Sequence, residues 1–206
     1  MRRALLYAIG LLFVVSPGAG QTADDELVNV RHLIPDIVLD LRYNTVDNFC
    51  AQKLYTTDEC LAAHLVVRRL QIVQDSLRAR GLGLKIYDAY RPLAVQFIMF
   101  AIYPDPGFVA DPNSGGSKHN RGAAVDVSLV DAATGLELNM PTEFDYFGDE
   151  AGHGWTTGLT SEQVANRELL LDMMTRIGGF DPEQTEWWHY TYGFAGDYPL
   201  LDFQLR

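Results

Sequence analysis

The apolar and polar positions of this chain switch between two periods. Over residues 37–43 (IVLDLRY) Ile37, Leu39, Leu41 and Tyr43 share one face and Val38, Asp40 and Arg42 the other, the period of a strand. NTVDNF (44–49) is a polar loop. Residues 56–81 read as a helix: Ala62, Val66, Arg69, Val73 and Leu77 trace a stripe that Leu61, Leu65 and Leu70 widen. Thr57 or Asp58 can cap its start and Gly81 ends it. A short strand at 84–88 follows, then Pro92 opens a helix over 93–103. After a Gly/Ser-rich loop at 111–122, residues 124–130 alternate again. Val125, Val127 and Leu129 face one way; Ala124, Asp126 and Ser128 face the other. A hairpin turn at 131–135 leads into Leu136–Leu138. Thr160 and Gln163 form a capping-box signature for a helix over 160–179, which Gly178-Gly179 close. An aromatic strand, EWWHYTYG (186–193), comes last. With helices early, strands late and no βαβ rhythm, the pattern predicts a single α+β domain with a central antiparallel sheet flanked by helices.

The first twenty residues belong to another kind of sequence. Met1-Arg2-Arg3 is basic, Ala4–Val15 is apolar apart from Tyr7 and Gly10, and SPGAG (16–20) is small and turn-forming. That layout predicts a secretory signal peptide cleaved after Gly20, hence an exported, periplasmic protein. A short membrane anchor is the other reading, but a spanning helix needs about 20 apolar residues. No cysteine follows the run to accept a lipid. Hydrophobic content of 48% and charged content of 21% suit one globular domain with a sizeable core. The net charge of −11 argues against a nucleic-acid or anionic-lipid partner. Export changes the meaning of the two cysteines. In an oxidising compartment Cys50 and Cys60, ten residues apart, are expected to form a disulfide; two reduced, unrelated thiols are the alternative.

Chemistry concentrates in two stretches. In SKHNRGAAVDVS (117–128) His119 stands seven residues before Asp126. Asp126 is on the non-aliphatic face of its strand, where a carboxylate needs a cleft or a cation. Gly122 lets the loop carrying His119 fold back against that strand. In EWWHY (186–190) Glu186 and His189 are three apart, which on a regular strand puts them on opposite faces. If both serve one site, Glu186 must lie at the irregular start of the strand or on a bulge. A catalytic zinc asks for three protein ligands and one open position.

Ser117–Asp126 matches an SxHxxGxAxD pattern, Glu186–His189 an ExWH pattern, and YDAYRP (87–92) and LRYNTVDNF (41–49) narrow the match further. With these four motifs the chain resembles the D-alanyl-D-alanine dipeptidases associated with vancomycin resistance, within a zinc D,D-peptidase superfamily. The likeness runs from about Leu33 to Phe203. It implies a catalytic domain over 21–206 behind a signal peptide at 1–20, with a zinc site in a cleft. One zinc ion per chain is implied, bound by His119, Asp126 and His189. Glu186 is implied as general base, and Arg91 as the group stabilising the transition state. Asp145 and Tyr43 are implied at the substrate's free amine, and Ser117 as a lining residue. The implied partner is a small dipeptide, with no membrane contact after signal cleavage. Where relatives carry threonine after the NF pair this chain has Cys50, so the expected Cys50–Cys60 bridge is a feature of this sequence and not of the family.

Zinc polarises a carbonyl and lowers the pKa of water to about 7, a carboxylate can move the proton, and a fixed guanidinium can meet an oxyanion. Two other functions compete. One is a D,D-carboxypeptidase or endopeptidase acting on peptidoglycan stem peptides, which present no free amine for Asp145. The other is a non-catalytic zinc-stabilised binding module, which would need neither Glu186 nor Arg91. The remaining residues have plainer readings: His64 as a surface or half-buried helix residue, His32 structural, His153 bordering the cleft, Trp187 and Trp188 as core and cleft wall, and Arg121 as a surface or positioning residue.

Overall fold

The computed structural model describes residues 24–193 and 198–205. The expected signal peptide at 1–20 lies outside the described residues. In chain order the elements are β1 (Leu27–Asn29), α1 (Val30–Leu33), β2 (Val38–Leu39), β3 (Leu61–Ala63), α2 (His64–Arg78), β4 (Leu82–Asp88), α3 (Leu93–Ile102), β5 (Ala124–Asp131), α4 (Ser161–Asp172), β6 (Asp181–Pro182) and β7 (His189–Thr191). Five strands form one sheet in the order β2-β4-β5-β7-β6, and β1 pairs with β3 in a separate ribbon. The α+β reading holds. All pairs in the large sheet are antiparallel except β2–β4, a parallel pair two residues long at one edge.

β4 and β5 are the spine. Their antiparallel register runs from Leu82↔Asp131 to Asp88↔Asp126, with an irregularity between Ile86 and Asp88. Seven of the eight β5 residues are buried, so both its faces are covered and Asp126 is not turned to open solvent. One face of α2 packs down through Val66, Val67, Leu70, Val73 and Leu77. α4 starts on the expected capping box: the Thr160 hydroxyl accepts from the Gln163 N–H and the Gln163 side chain accepts from the Thr160 N–H. Its last turns, Met173–Ile177, widen to a π-helix before Gly178 and Gly179.

Three boundaries differ from the sequence pattern. The helix expected from 56 begins only at His64; residues 51–60 are irregular and Leu61–Ala63 pair with β1 instead. Tertiary pairing overrode helical spacing there. The backbone N–H of Tyr90 reaches the Leu61 carbonyl, and that of Ala63 reaches the Gly122 carbonyl. The strand expected over 37–43 is ordered as a strand only at Val38–Leu39, because Arg42–Asn44 turn into a 3₁₀ helix. The aromatic strand starts at His189, not at 186.

The expected disulfide is absent: Cys50 and Cys60 are both buried free thiols. Ten residues of separation set only the entropy of closing a loop, not where two side chains point. The stretch between them is pinned elsewhere, with the N–H groups of Leu54 and Tyr55 on the Tyr43 carbonyl and the Tyr55 hydroxyl on Asp88. Burial pushes the Cys50 thiol up to about 11, and Asp145 nearby adds to the shift. Burial also raises Cys60, with Asp88 contributing. Neither thiol is primed for oxidation by thiolate character.

Candidate active site

The sheet register builds the floor of the site. Asp126 on β5 lies opposite Asp88 on β4 and opposite His189 on β7, so one row across three strands presents three titratable side chains. His119 joins them from a 3₁₀ turn, Lys118–Arg121. The Ser117 hydroxyl caps that turn on the His119 N–H while the Asn120 side chain accepts from the Ser117 N–H. Gly122 then takes a left-handed φ of 65°. A Cβ there would come within 2.6 Å of the end of the Leu27 side chain and 3.1 Å of the Ala63 nitrogen, so left-handed backbone and tight space both favour glycine. His119 and Asn120 therefore sit in a fixed, buried corner, while Asn113–Gly115 and Lys118 of the same stretch stay exposed.

Three donor atoms converge. His189 Nδ1 is 2.9 Å from Asp126 Oδ1 and 3.2 Å from His119 Nε2, and His119 Nε2 is 3.3 Å from Asp126 Oδ1. His119 Nδ1 lies 2.6 Å from the Ala89 carbonyl oxygen. A carbonyl only accepts, so Nδ1 carries the proton and Nε2 turns its lone pair to the other two atoms. Three donors at about 2.0–2.1 Å from one tetrahedral centre stand about 3.3 Å apart. The triangle therefore fits a metal ion in both size and donor type.

Without such an ion, the carboxylate and the rings hold each other. Burial works to raise the Asp126 pKa, but the two histidines more than offset it and leave it well below the carboxylate range. Burial works to lower the His189 pKa, and the hydrogen bond and charge of Asp126 more than offset that. Glu186 sits 3.9 Å from His189 Nδ1. It is buried, and desolvation, opposed by His189, pushes it up to about 7. Its place agrees with the constraint drawn from the sequence. Residues 183–188 turn before the strand begins: the His189 N–H reaches the Glu186 carbonyl, and Glu186 occupies the irregular start.

Arg91, between β4 and α3, is clamped. Its Nε and one terminal nitrogen donate to Asp88 Oδ2 at 3.0 and 2.8 Å, and the other terminal nitrogen donates to Gln96 Oε1 at 2.8 Å. The guanidinium lies 5.2 Å from the centre of the Tyr43 ring. Its backbone N–H holds the His119 carbonyl, and Asn120 holds its carbonyl. Sequence reasoning missed Asp88, Gln96 and Tyr55, whose hydroxyl donates to Asp88 Oδ1. The signal for Asp88 was present in YDAYRP, an acid three residues before the arginine. Tyr55 and Gln96 carry no comparable local mark.

Tyr43 and Asp145 meet across 102 residues: the buried Tyr43 hydroxyl donates to both Asp145 oxygens at 3.0 and 3.1 Å. Burial pushes the tyrosine pKa up, so it remains a donor. Asp145 has φ 62°, a left-handed conformation that aspartate tolerates better than most residues. Burial, with Asp126 adding repulsion, raises the Asp145 pKa well above the carboxylate range. Phe144 stacks on Tyr87 at 4.5 Å, and Phe147 packs at 5.1 Å from both Phe49 and Phe108, forming an aromatic wall.

All eight candidate residues (Tyr43, Arg91, Ser117, His119, Asp126, Asp145, Glu186 and His189) line one cleft of about 230 Å³. That is below the about 300–1,000 Å³ of sites for drug-sized ligands. Trp188 lines it, whereas Trp187 is fully buried and donates to Thr142 Oγ1. His153, expected to border the cleft, is buried outside its lining, with its N–H on the Gln184 carbonyl. Arg121 braces the Tyr198 and Gly115 carbonyls, His32 is exposed, and His64 opens α2 half-buried.

A family model described as D-ala-D-ala dipeptidase matches residues 23–204. The chain is 35% identical over 180 residues to the D-alanyl-D-alanine dipeptidase of Escherichia coli (strain K12), covering 87% of this chain and 91% of that protein. It is 29% identical over 170 residues to the D-alanyl-D-alanine dipeptidase of Enterococcus faecalis (strain ATCC 700802 / V583), covering 73% and 83%. Among solved structures, a mutant of the vancomycin-resistance D,D-pentapeptidase VanY in complex with Zn(II) shares 18% identity. It covers 68% of this chain and 77% of its own at a TM-score of 0.37, too low to carry structural detail across.

Proposed function

This chain belongs to the D-alanyl-D-alanine dipeptidase family and is a peptidase, and from that premise we propose that it is a zinc enzyme cleaving free D-Ala-D-Ala into two D-alanines. The carrying observation is the triangle of His119 Nε2, Asp126 Oδ1 and His189 Nδ1, all within 4.8 Å of one another and with Glu186 beside it. These three residues hold the ion. Zinc there supplies Lewis acidity, polarising a carbonyl and acidifying water.

The protein's own groups divide the remaining work. Glu186 takes the proton from the attacking water and returns it to the leaving amine, a role suited to a buried carboxyl beside the triangle. Arg91 faces the developing oxyanion without reorganising, since Asp88 and Gln96 already fix its plane. Asp145, aimed by its left-handed backbone and by Tyr43, pairs with the substrate's ammonium. That pairing favours a free dipeptide, because an acylated stem peptide brings no cation to Asp145. The basic, apolar and small-residue layout of residues 1–20 supports export, so the reaction is assigned to the periplasm.

The test is hydrolysis by zinc-loaded and chelator-stripped protein of D-Ala-D-Ala beside N-acetyl-D-Ala-D-Ala. Zinc-dependent release of D-alanine from the free dipeptide, with the acetylated one nearly inert, is expected. Equal cleavage of both would replace the dipeptidase by a D,D-carboxypeptidase.

A further inference from the structure

We propose that Lys118 binds the substrate's free carboxylate and makes this peptidase selective for an unblocked C-terminus. The inference rests on the dipeptidase reading, in which the substrate is charged at both ends. Asp145 answers the ammonium; the carboxylate must find a cation in a cleft where Asp126, Asp145, Glu183 and Glu186 already face inward. Apart from the two histidines of the triangle, the cleft is lined by two basic side chains, Arg91 and Lys118.

Arg91 already has a task. Asp88 and Gln96 hold three of its five N–H donors, and in the dipeptidase reading the rest face the oxyanion at the scissile carbonyl, away from the substrate's terminus. Lys118 has no such task. Its exposed side chain donates from Nζ to Thr191 Oγ1 at 3.3 Å, and among the described residues no carboxylate forms an ion pair with it. An ammonium has three N–H donors, so this contact leaves two.

Two constraints place that ammonium beside the metal triangle. Lys118 directly precedes His119 in the capped turn. Thr191 follows His189 by two residues on β7, and residues two apart on a strand share a face. Ser117, also in the lining, already accepts from the His119 N–H and keeps its own hydroxyl proton to donate to the same carboxylate. Lys118 is thus a specificity residue at one end of the substrate, complementary to Asp145 at the other.

The experiment compares wild type, Lys118→Met and Lys118→Arg, all zinc-loaded, on D-Ala-D-Ala and on D-Ala-D-Ala amide. Lys118 is exposed, so the variants should fold, which far-UV circular dichroism checks. Lys118→Met should raise KM for the free acid about fivefold, the upper range for a solvent-exposed ion pair. Its kcat should stay within about twofold, and the amide should be handled alike by both proteins. Lys118→Arg should restore most of the KM because it restores the charge. An unchanged KM for the free acid, or equal losses on acid and amide, would overturn the assignment. Wild type cleaving neither compound would instead overturn the dipeptidase reading itself.

Discussion

Asp126 and Asp145 are both carboxylates desolvated in one cleft, yet their surroundings shift them in opposite directions. Asp126 lies on the middle strand of the sheet with an imidazole on each side, and those rings keep it ionised. Asp145 lies on a loop with a neutral phenol as its hydrogen-bond partner, and burial drives it toward the protonated form. The same residue type is satisfied within a candidate metal centre in one place and left without a cationic partner in the other. A buried carboxylate without a cation is costly, so the second location is one that a cationic ligand would stabilise. Rigidity follows the same division: the candidate metal row is set by β-register, whereas the proposed ammonium position depends on a loop residue with left-handed backbone and on a contact across 102 residues.

The largest effect expected is on the satisfied side of this contrast. His119→Ala or His189→Ala should each lose most bound zinc together with nearly all activity, read by metal analysis of the purified proteins. Full zinc occupancy in both variants would break the ligand assignment.

Glu186→Gln sharpens the boundary between holding the metal and using it. Zinc content and fold should be kept while kcat falls by about 10²–10⁴-fold, the usual worth of a positioned base. Near-normal turnover would remove Glu186 from that role.

Asp145→Asn tests the unanswered carboxylate. It should lower kcat/KM for the free dipeptide by at most about 3–5 kcal/mol, the range of a broken buried pair, with zinc retained. It should also narrow the gap between free and N-acetylated substrate. A variant that keeps the full preference for the free amine would contradict the ammonium assignment.

The smallest effect is expected from a third carboxylate, at the surface. Asp36 accepts hydrogen bonds from Arg78 and Gln74, and chiefly the Arg78 bond lowers its pKa to about 2. A carboxyl lowered on folding adds stability above its unfolded value near 3.8 and loses that contribution as pH falls through about 2. Asp36 is 49% exposed, so the contribution is screened. The gap in urea stability between wild type and Asp36→Asn should stay under about 1 kcal/mol at pH 7 and close between pH 4 and 2. A gap of several kcal/mol would show that pairing at the surface and pairing in the cleft are less different than Asp126 and Asp145 suggest.

The motifs were legible because their chemistry is local. His119 and Asp126 share a twelve-residue stretch, and Glu186 and His189 share four residues. The capping box at Thr160 and the Pro92 start of α3 were legible for the same reason, since a cap or a proline acts within one turn. Residues 56–63 misled because a leucine-and-alanine run suits a helix as well as a strand, and only the β1 partner and the Gly122 corner decided it. The cysteine pair misled for a related reason, as sequence distance does not determine where two thiols face.

By itself, then, the sequence determined the donor types, their grouping into short motifs, the family those motifs belong to and the α+β class. Tertiary structure alone decided that Asp126 lies level with Asp88 and His189, that Asp88 and Gln96 hold Arg91, and that Tyr43 meets Asp145 across 102 residues. The physical reason is range. Periodicity, capping and turn chemistry are settled within a few residues of backbone, whereas register, desolvation and charge pairing depend on neighbours far away in the chain.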